Sequence, residues 1–580
     1  MAHRPHLELR GECAVTARTL AALLDDLVTL DPAAPALYDV TDGGVVVIDR
    51  AALRARVEVL TDELRRAGVA GGHCIAVHLP NWSDTVVWQF AAASVGAHVI
   101  GVNTRYNSGE IAHILTSARP AVVAIAPNFH DLDLLGRLRT ALDAVEIPAP
   151  VLAVVPGPSA SAPQDISTFD VGAGCWTAES GVVDTLRTPP PVDTAAFTAA
   201  GRRGTSADRL AVAFTTSGST GTPKLAAHRE SAVVAHAVAD ALGMGVRPGD
   251  VALCVHPLSG VFGFSTAMAA LAGGGAVLME SVFDADAVVR RMAAVGVTHA
   301  VGGDDLMGRI HDVWQEQNPR SDLGALRWIG IADFLGRSHA LATWARESFG
   351  TVTTGVFGSS EVFALLLFWH QVDPDHVRWN GGGRPVSDDI AVRIVDPVDD
   401  TPVPVGSRGE IQVWGPTVVD AYLGNPEAAA RAFTDDGWFR SGDLGIATGD
   451  GGVTYVCRMG DALRLRGFLV DPAEIEHRLA DHPDVVTAKV VGIDGRGGYT
   501  EAVAFVVPRP GATATATEFK RWCGDELAAF KVPSAVHVIE RMPTTVGGNG
   551  SKIRAVELRE WARQWIDEER DCRHVAPARH

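Results

Sequence analysis

The chain has 580 residues, of which 47% are hydrophobic and 21% charged, a composition ordinary for a water-soluble protein and a length too great for one compact core. Its formal net charge of −19 argues against a nucleic-acid or anionic-membrane partner, both of which would repel it. No apolar run approaches the ~20 residues that span a bilayer. The opening Met1-Ala-His-Arg-Pro-His6 lacks a signal-peptide core, and the seven cysteines, at 13, 74, 175, 254, 457, 523 and 572, include no CxxC pair. These features predict a cytoplasmic enzyme with reduced thiols.

In chain order, helical periodicity over 51–67 and 85–95 alternates with apolar strands over 74–79 and 121–126, the pattern of a layered α/β domain. Residues 156–209 are dominated by Pro, Ser, Ala, Thr and Gly and read as a flexible surface excursion. Strand–helix alternation resumes at Leu210 and continues to about Val395, followed by glycine-punctuated β sequence through Val456. A separate α+β pattern then appears: helix 472–480, strands 486–492 and 502–507, helix 517–529. The reading divides the chain into 1–459, a small C-terminal domain over 460–561, and a charged, frayed helix end over 562–580.

Five short segments carry chemistry. An apolar strand from Leu210 runs into Thr215-Thr-Ser-Gly-Ser-Thr-Gly-Thr-Pro-Lys224, where glycines allow backbone N–H groups close to an anion, hydroxyls add donors and Lys224 adds charge. It suits phosphate without being the Walker pattern. Gly355-Val-Phe-Gly-Ser-Ser-Glu361 presents a carboxylate in a tight turn, suited to Mg²⁺ carrying a triphosphate. Gly437-Trp-Phe-Arg-Ser-Gly-Asp443, with Arg458 fifteen residues on, offers a carboxylate for ribose hydroxyls. Arg464–Glu476 turns at Gly467 into a helix begun by Asp471-Pro472. Asn549-Gly-Ser-Lys552 presents a lysine from a glycine-rich loop. Taken singly, each also suits an ordinary loop, a solvated turn or a hairpin.

In this order and spacing the segments resemble the adenylate-forming superfamily of acyl- and aryl-CoA synthetases, peptide-synthetase adenylation domains and beetle luciferases, most of all the coumarate-type ligases. Val102–Tyr106 and Phe530–Pro533 also match, and the resemblance runs from about 20 to 560 outside the excursion. It implies a large multi-layer α/β N-terminal domain, a small mobile C-terminal domain hinged near Gly460, ATP and Mg²⁺ as reactants, and CoA or a carrier-protein phosphopantetheine as acceptor. By resemblance Thr216, Ser217, Gly218, Ser219, Thr220, Gly221 and Lys224 hold the β- and γ-phosphates. Ser360 touches the α-phosphate, and Glu361 carries the metal. Phe357 with Gly358, Ala332 and Asp333 frames adenine, and Asp443 and Arg458 hold the ribose. Lys552 bridges acid and α-phosphate, and the Gly467 loop later serves the second nucleophile.

Departures gather in the acid pocket. Phe357 stands where Tyr is usual, and Gly460 where the hinge usually has Asp or Lys. Ser259-Gly260 occupies a place often held by His or an aromatic, and Gly303-Asp304-Asp305 and Asp333 put acids where relatives are apolar. These acids predict a polar pocket, walled by Ser359, Phe262, Val362 and Phe363, recognising an amine or hydroxyl on a small aromatic acid. A fatty-acid tunnel would have a longer apolar lining. Four alternatives stay open: loading of a separate carrier protein, adenylation of nitrite for transfer to an aryl amine as in some secondary metabolism, a catalytically silent nucleotide-binding relative, and a light-emitting oxygenase.

Overall fold

The computed structural model describes residues 17–127, 129–130, 132–158, 175–176, 209–216, 223–334, 336–459, 463–465, 468–470, 472–494, 500–527, 531–547 and 550–574. Ser217, Gly218, Ser219, Thr220, Gly221, Gly460 and Gly467 lie outside the described residues, as does the side chain of Lys552.

Two large sheets form the N-terminal part. The first has eight strands, with a parallel centre of Leu210–Thr215, His98–Gly101, Cys74–His78, Val122–Ile125 and Val151–Val154. The second has thirteen. Its parallel half contains Ala276–Met279, Val251–Cys254, His299–Gly303, Trp328–Ala332 and Val352–Ser359. It then turns antiparallel through Phe363–Phe368 and Gly382–Pro385 to Val453–Arg458, Phe439–Ala447, Arg408–Trp414 and Ala391–Val395. Parallel strands covered on both faces are apolar apart from His78: Cys74–His78 and Val251–Cys254 are buried at every position. The helix Val261–Ala272 is buried along its whole length, packed among other elements with no solvent face.

The C-terminal part has its own core, in which Leu463, Ile475, Leu479, Val490, Ala504 and Phe519 meet around strands Val485–Asp494, Thr500–Pro508 and Ala535–Val538. The expected helix at 472–480 is present as Pro472–Ala480. The expected helix at 517–529 is shorter, Ala516–Gly524, started by a capping box between Thr515 and Glu518. Residues 562–574 continue the helix Ala555–His574, whose Leu558 and Ala562 pack with Val491 and Phe505. Within 156–209, mostly outside the described residues, Cys175–Trp176 pairs antiparallel with Leu152 and Ala153. Cys74, Cys254 and Cys523 are buried free thiols. Among the described residues no helix is long and apolar enough to cross a membrane.

Candidate functional site

Of the expected site residues, Lys224, Glu361, Asp443 and Arg458 come together between the two large sheets. The strand Leu210–Thr215 leads into the loop of small residues and hydroxyls, and Leu225–Arg229 returns antiparallel beside it. The loop is closed at its base by the Thr216 N–H donating to the Lys224 carbonyl at 2.8 Å. Tyr106 reaches the same place, its hydroxyl 2.5 Å from Thr215 Oγ1.

Across the cleft, Val352–Ser359 and Phe363–Phe368 form a hairpin whose turn carries Ser360 and Glu361. The hairpin needs glycine at 358, because a Cβ there would stand 2.1 Å from the Phe363 carbonyl oxygen. The turn is fixed from several sides. The Glu361 N–H donates to Ser359 Oγ, and its carbonyl accepts from the Val419 N–H at 2.6 Å. His228 Nε2–H donates to the Ser360 carbonyl at 2.7 Å. Phe363 holds a left-handed backbone, φ 67°, that a bulky residue adopts only under constraint. Its ring, 1% exposed, is stacked on His236 at 4.6 Å and lies 4.2 Å from His228.

Tyr422 joins the two sides. It lies on Ala421–Tyr422, paired with Leu225–Arg229 and tied there by the Arg229–Asp420 ion pair at 2.9 Å. Its hydroxyl donates to Glu361 Oε1 at 3.0 Å, while Lys224 Nζ lies 4.9 Å from its ring centre. Burial, and then the Glu361 carboxylate, push the phenol pKa up, so the hydroxyl remains a donor.

The third group is a cross-strand pair. Asp443 and Arg458 are directly opposed on Phe439–Ala447 and Val453–Arg458, with Arg458 Nη1 3.0 Å from Asp443 Oδ1 and donating to the Ser441 carbonyl at 2.7 Å. Burial raises the Asp443 pKa from 3.8 to about 6, Arg458 opposes the shift, and the negative charges of Glu361 and Glu410 add to it. Glu361 and Asp443 therefore share one field, with Lys224 and Arg458 as the nearby cations.

Phe357 is buried with its ring 5.5 Å from that of Tyr455, and Ala332 and Asp333 are partly exposed at the end of Trp328–Ala332. The acid-pocket expectations change most. Asp304, 0% exposed, does not present a free carboxylate to a substrate amine: its oxygens accept from the Phe334 and Arg337 N–H groups, both at 3.0 Å, and it hydrogen-bonds the Asp333 carboxyl. Backbone donors of the 333–337 loop claim this acid. Burial and Asp333 raise its pKa to about 7. Gly303 lies tight against Asp305 and the Phe334 ring, and Gly260 is the partly exposed N-cap of Val261–Ala272. Ser259, Phe262 and Val362 are buried, Phe262 against the His256 ring at 4.7 Å.

Lys552 lies on the strand Gly550–Ile553, paired with Thr545, and this strand packs beside the helix Asp304–Glu316. The C-terminal part thus touches the N-terminal part at this helix, and His477 also comes close to Gly336. Sequence reasoning missed Tyr422 and His228. Tyr422 lies 61 residues from Glu361 and carries no local signal beyond the following Gly424-Asn425-Pro426 turn; His228 follows Lys224 by four residues in an apolar strand.

The AMP-binding enzyme profile matches residues 26–423, and that of the AMP-binding enzyme C-terminal domain matches 474–549. Among similar proteins, triostin synthetase I of Streptomyces triostinicus is 31% identical over 528 residues, 88% of this chain and 89% of that protein. A 3-[(3aS,4S,7aS)-7a-methyl-1,5-dioxo-octahydro-1H-inden-4-yl]propanoyl:CoA ligase of Rhodococcus jostii strain RHA1 is 28% identical, covering 88% of this chain and 92% of the relative. The crystal structure of ATP-bound MatB from Rhodopseudomonas palustris shares the fold with a TM-score of 0.77 and 24% identity, covering 94% of this chain and 98% of that one. The chain belongs to the AMP-binding enzyme family and is an AMP-forming ligase with a large N-terminal and a small C-terminal domain.

Proposed function

We propose that this enzyme adenylates a small acid with ATP and passes the activated group to the thiol of CoA or of a carrier-protein phosphopantetheine. The observation that carries the reading is the convergence of Lys224, Tyr422 and Glu361 with the Asp443–Arg458 pair in one cleft. These residues fit the nucleotide: a cation beside a hydroxyl-rich loop for phosphates, and a buried carboxylate backed by arginine for a ribose diol. They also fit Mg²⁺ arriving with the triphosphate. Among the described residues no group of three His, Cys, Asp or Glu forms a cation cage, so Glu361 would supply a protein oxygen and the phosphates the rest.

In the first step a carboxylate oxygen of the acid attacks the α-phosphorus and the bond to pyrophosphate breaks. Negative charge grows on the leaving group, where Lys224 and the 216–224 loop hold it, and Lys552 aligns acid and α-phosphate. In the second, the thiol sulfur attacks the acyl carbon and AMP leaves. A domain boundary at 459–460 with a hinge near Gly460 would let the small domain withdraw Lys552 and bring the Gly467 loop forward between the steps. Relatives named as CoA ligases support the thiol acceptor.

The test is pyrophosphate release from ATP and Mg²⁺ across a panel of acids, with and without CoA and with Lys552→Ala as blank. Release that depends on an acid and is accelerated by CoA is expected. Release that turns over only when nitrite and an aryl amine are supplied together would replace the thiol reading with nitrogen–nitrogen bond formation.

A further inference from the structure

We infer that the acid site ends at Trp328, which limits the enzyme to short carboxylic acids or inorganic oxyacids of similar size. This rests on the reading above that the acid reacts beside the Ser360 turn. On that reading we place the acid's tail in the seam between the helix Val261–Ala272 and the inner face of the strand Trp328–Ala332, which share one core.

The face of Trp328–Ala332 that looks into this seam follows from the strand period of two. Ile329 and Ile331 pack with Leu306, Ile310, Leu341 and Trp344 on the far side. Trp328, Gly330 and Ala332 therefore face inward, and Trp328 and Ala332 join the core that contains Phe264 and Met268 of the helix. Ala332, partly exposed, stands at the mouth. Gly330, two residues deeper, has no side chain, and the seam is closed there: a Cβ at Gly330 would meet Trp328 Cη2 at 2.8 Å and Val356 Cγ1 at 3.0 Å. The indole, 2% exposed, is folded forward along its own strand over the glycine.

The indole is pinned there. Phe368 packs edge-on at 5.8 Å, and the His299 ring lies at 6.3 Å, held by its hydrogen bond to the Met244 carbonyl at 3.2 Å. Val356 beside it is buried as well, so the core is closed at the ring. Two residues of strand from Ala332 to Gly330 give a depth of about 7 Å. A carboxylate with a few carbons fits such a space, whereas an extended acyl chain or an arene must displace the indole, at the cost of breaking a close-packed core.

The experiment compares kcat/KM for pyrophosphate release with nitrite, formate, acetate, propionate, butyrate, benzoate and octanoate, in the wild type, Trp328→Leu and Trp328→Phe. The wild type is expected to lose at least ~10-fold between its best short acid and both benzoate and octanoate, and Trp328→Leu to raise the benzoate-to-short-acid ratio by ~10-fold or more. Trp328→Phe, which keeps an aromatic ring in the core, shifts the ratio the same way by less, so the test survives if the leucine variant does not fold. Wild-type preference for benzoate or octanoate, or an unchanged ratio in folded variants, overturns the inference alone. Silence of every acid in every protein overturns the adenylation reading together with it.

Discussion

The Tyr422 hydroxyl donates to the Glu361 carboxylate at 3.0 Å while the face of its ring carries Lys224, so one buried side chain ties the hairpin turn to the end of the 216–224 loop. The residue is held for this by the strand pairing of Ala421 and Tyr422 with Ala227 and Ala226. A hydrogen bond to a charged group contributes about 1.5–3 kcal/mol, so Tyr422→Phe is expected to weaken ATP binding in the presence of Mg²⁺ by about tenfold or more. Calorimetric titration with a non-hydrolysable ATP analogue checks this; unchanged affinity would leave Tyr422 as packing only.

Asp443 predicts a pH dependence. Its pKa is raised to about 6 by burial, so the folded protein favours the neutral carboxyl. Its contribution to stability is fully present below about pH 4 and lost as the pH rises through about 6, whereas its use as a diol acceptor runs the other way. Nucleotide affinity is expected to fall as pH drops through about 6, and Asp443→Asn to flatten that dependence and weaken binding without lowering the urea midpoint at neutral pH. An asparagine variant that unfolds more easily would assign the carboxylate to the fold.

Asp304 is a fold residue by its bonds. Asp304→Ala leaves the Phe334 and Arg337 N–H groups without their acceptor and is expected to cost about 1–3 kcal/mol. Because the wild-type pKa is raised from 3.8 to about 7, its stabilisation is fully present below about pH 4 and lost as the pH rises through about 7. Urea unfolding should therefore show a larger deficit for the variant near pH 5 than near pH 8. A deficit that grows with pH would contradict the neutral carboxyl.

His228 is bonded to the Ser360 turn from behind. His228→Leu keeps bulk but removes the donor to the Ser360 carbonyl, and is expected to lower turnover more than it raises KM for ATP. Steady-state kinetics separate the two; a pure KM effect would place His228 with nucleotide binding.

Lys552→Ala is expected to abolish pyrophosphate release while sparing thiol transfer from a synthetic adenylate, since the lysine is assigned to the first displacement alone. Loss of both half-reactions would place it in binding or folding.

The sequence alone determined the layered α/β body, the separate C-terminal unit and the order of Lys224, Glu361, Asp443, Arg458 and Lys552. Each is a local signal: apolar runs of strand length, helix starts such as Asp471-Pro472, and glycine turns beside a charged residue. The partners of those residues were not legible, because strand pairing and interlayer packing join positions far apart in the chain. Tyr422 reaches Glu361 across 61 residues, and Asp304 is claimed by N–H groups some thirty residues on, which turned an expected substrate contact into a loop anchor. The depth of the acid site is of the same kind. A tryptophan and a glycine two apart on one strand say nothing until the sheet shows which face they share and the packing against Phe368 and His299 shows where the ring is forced to lie.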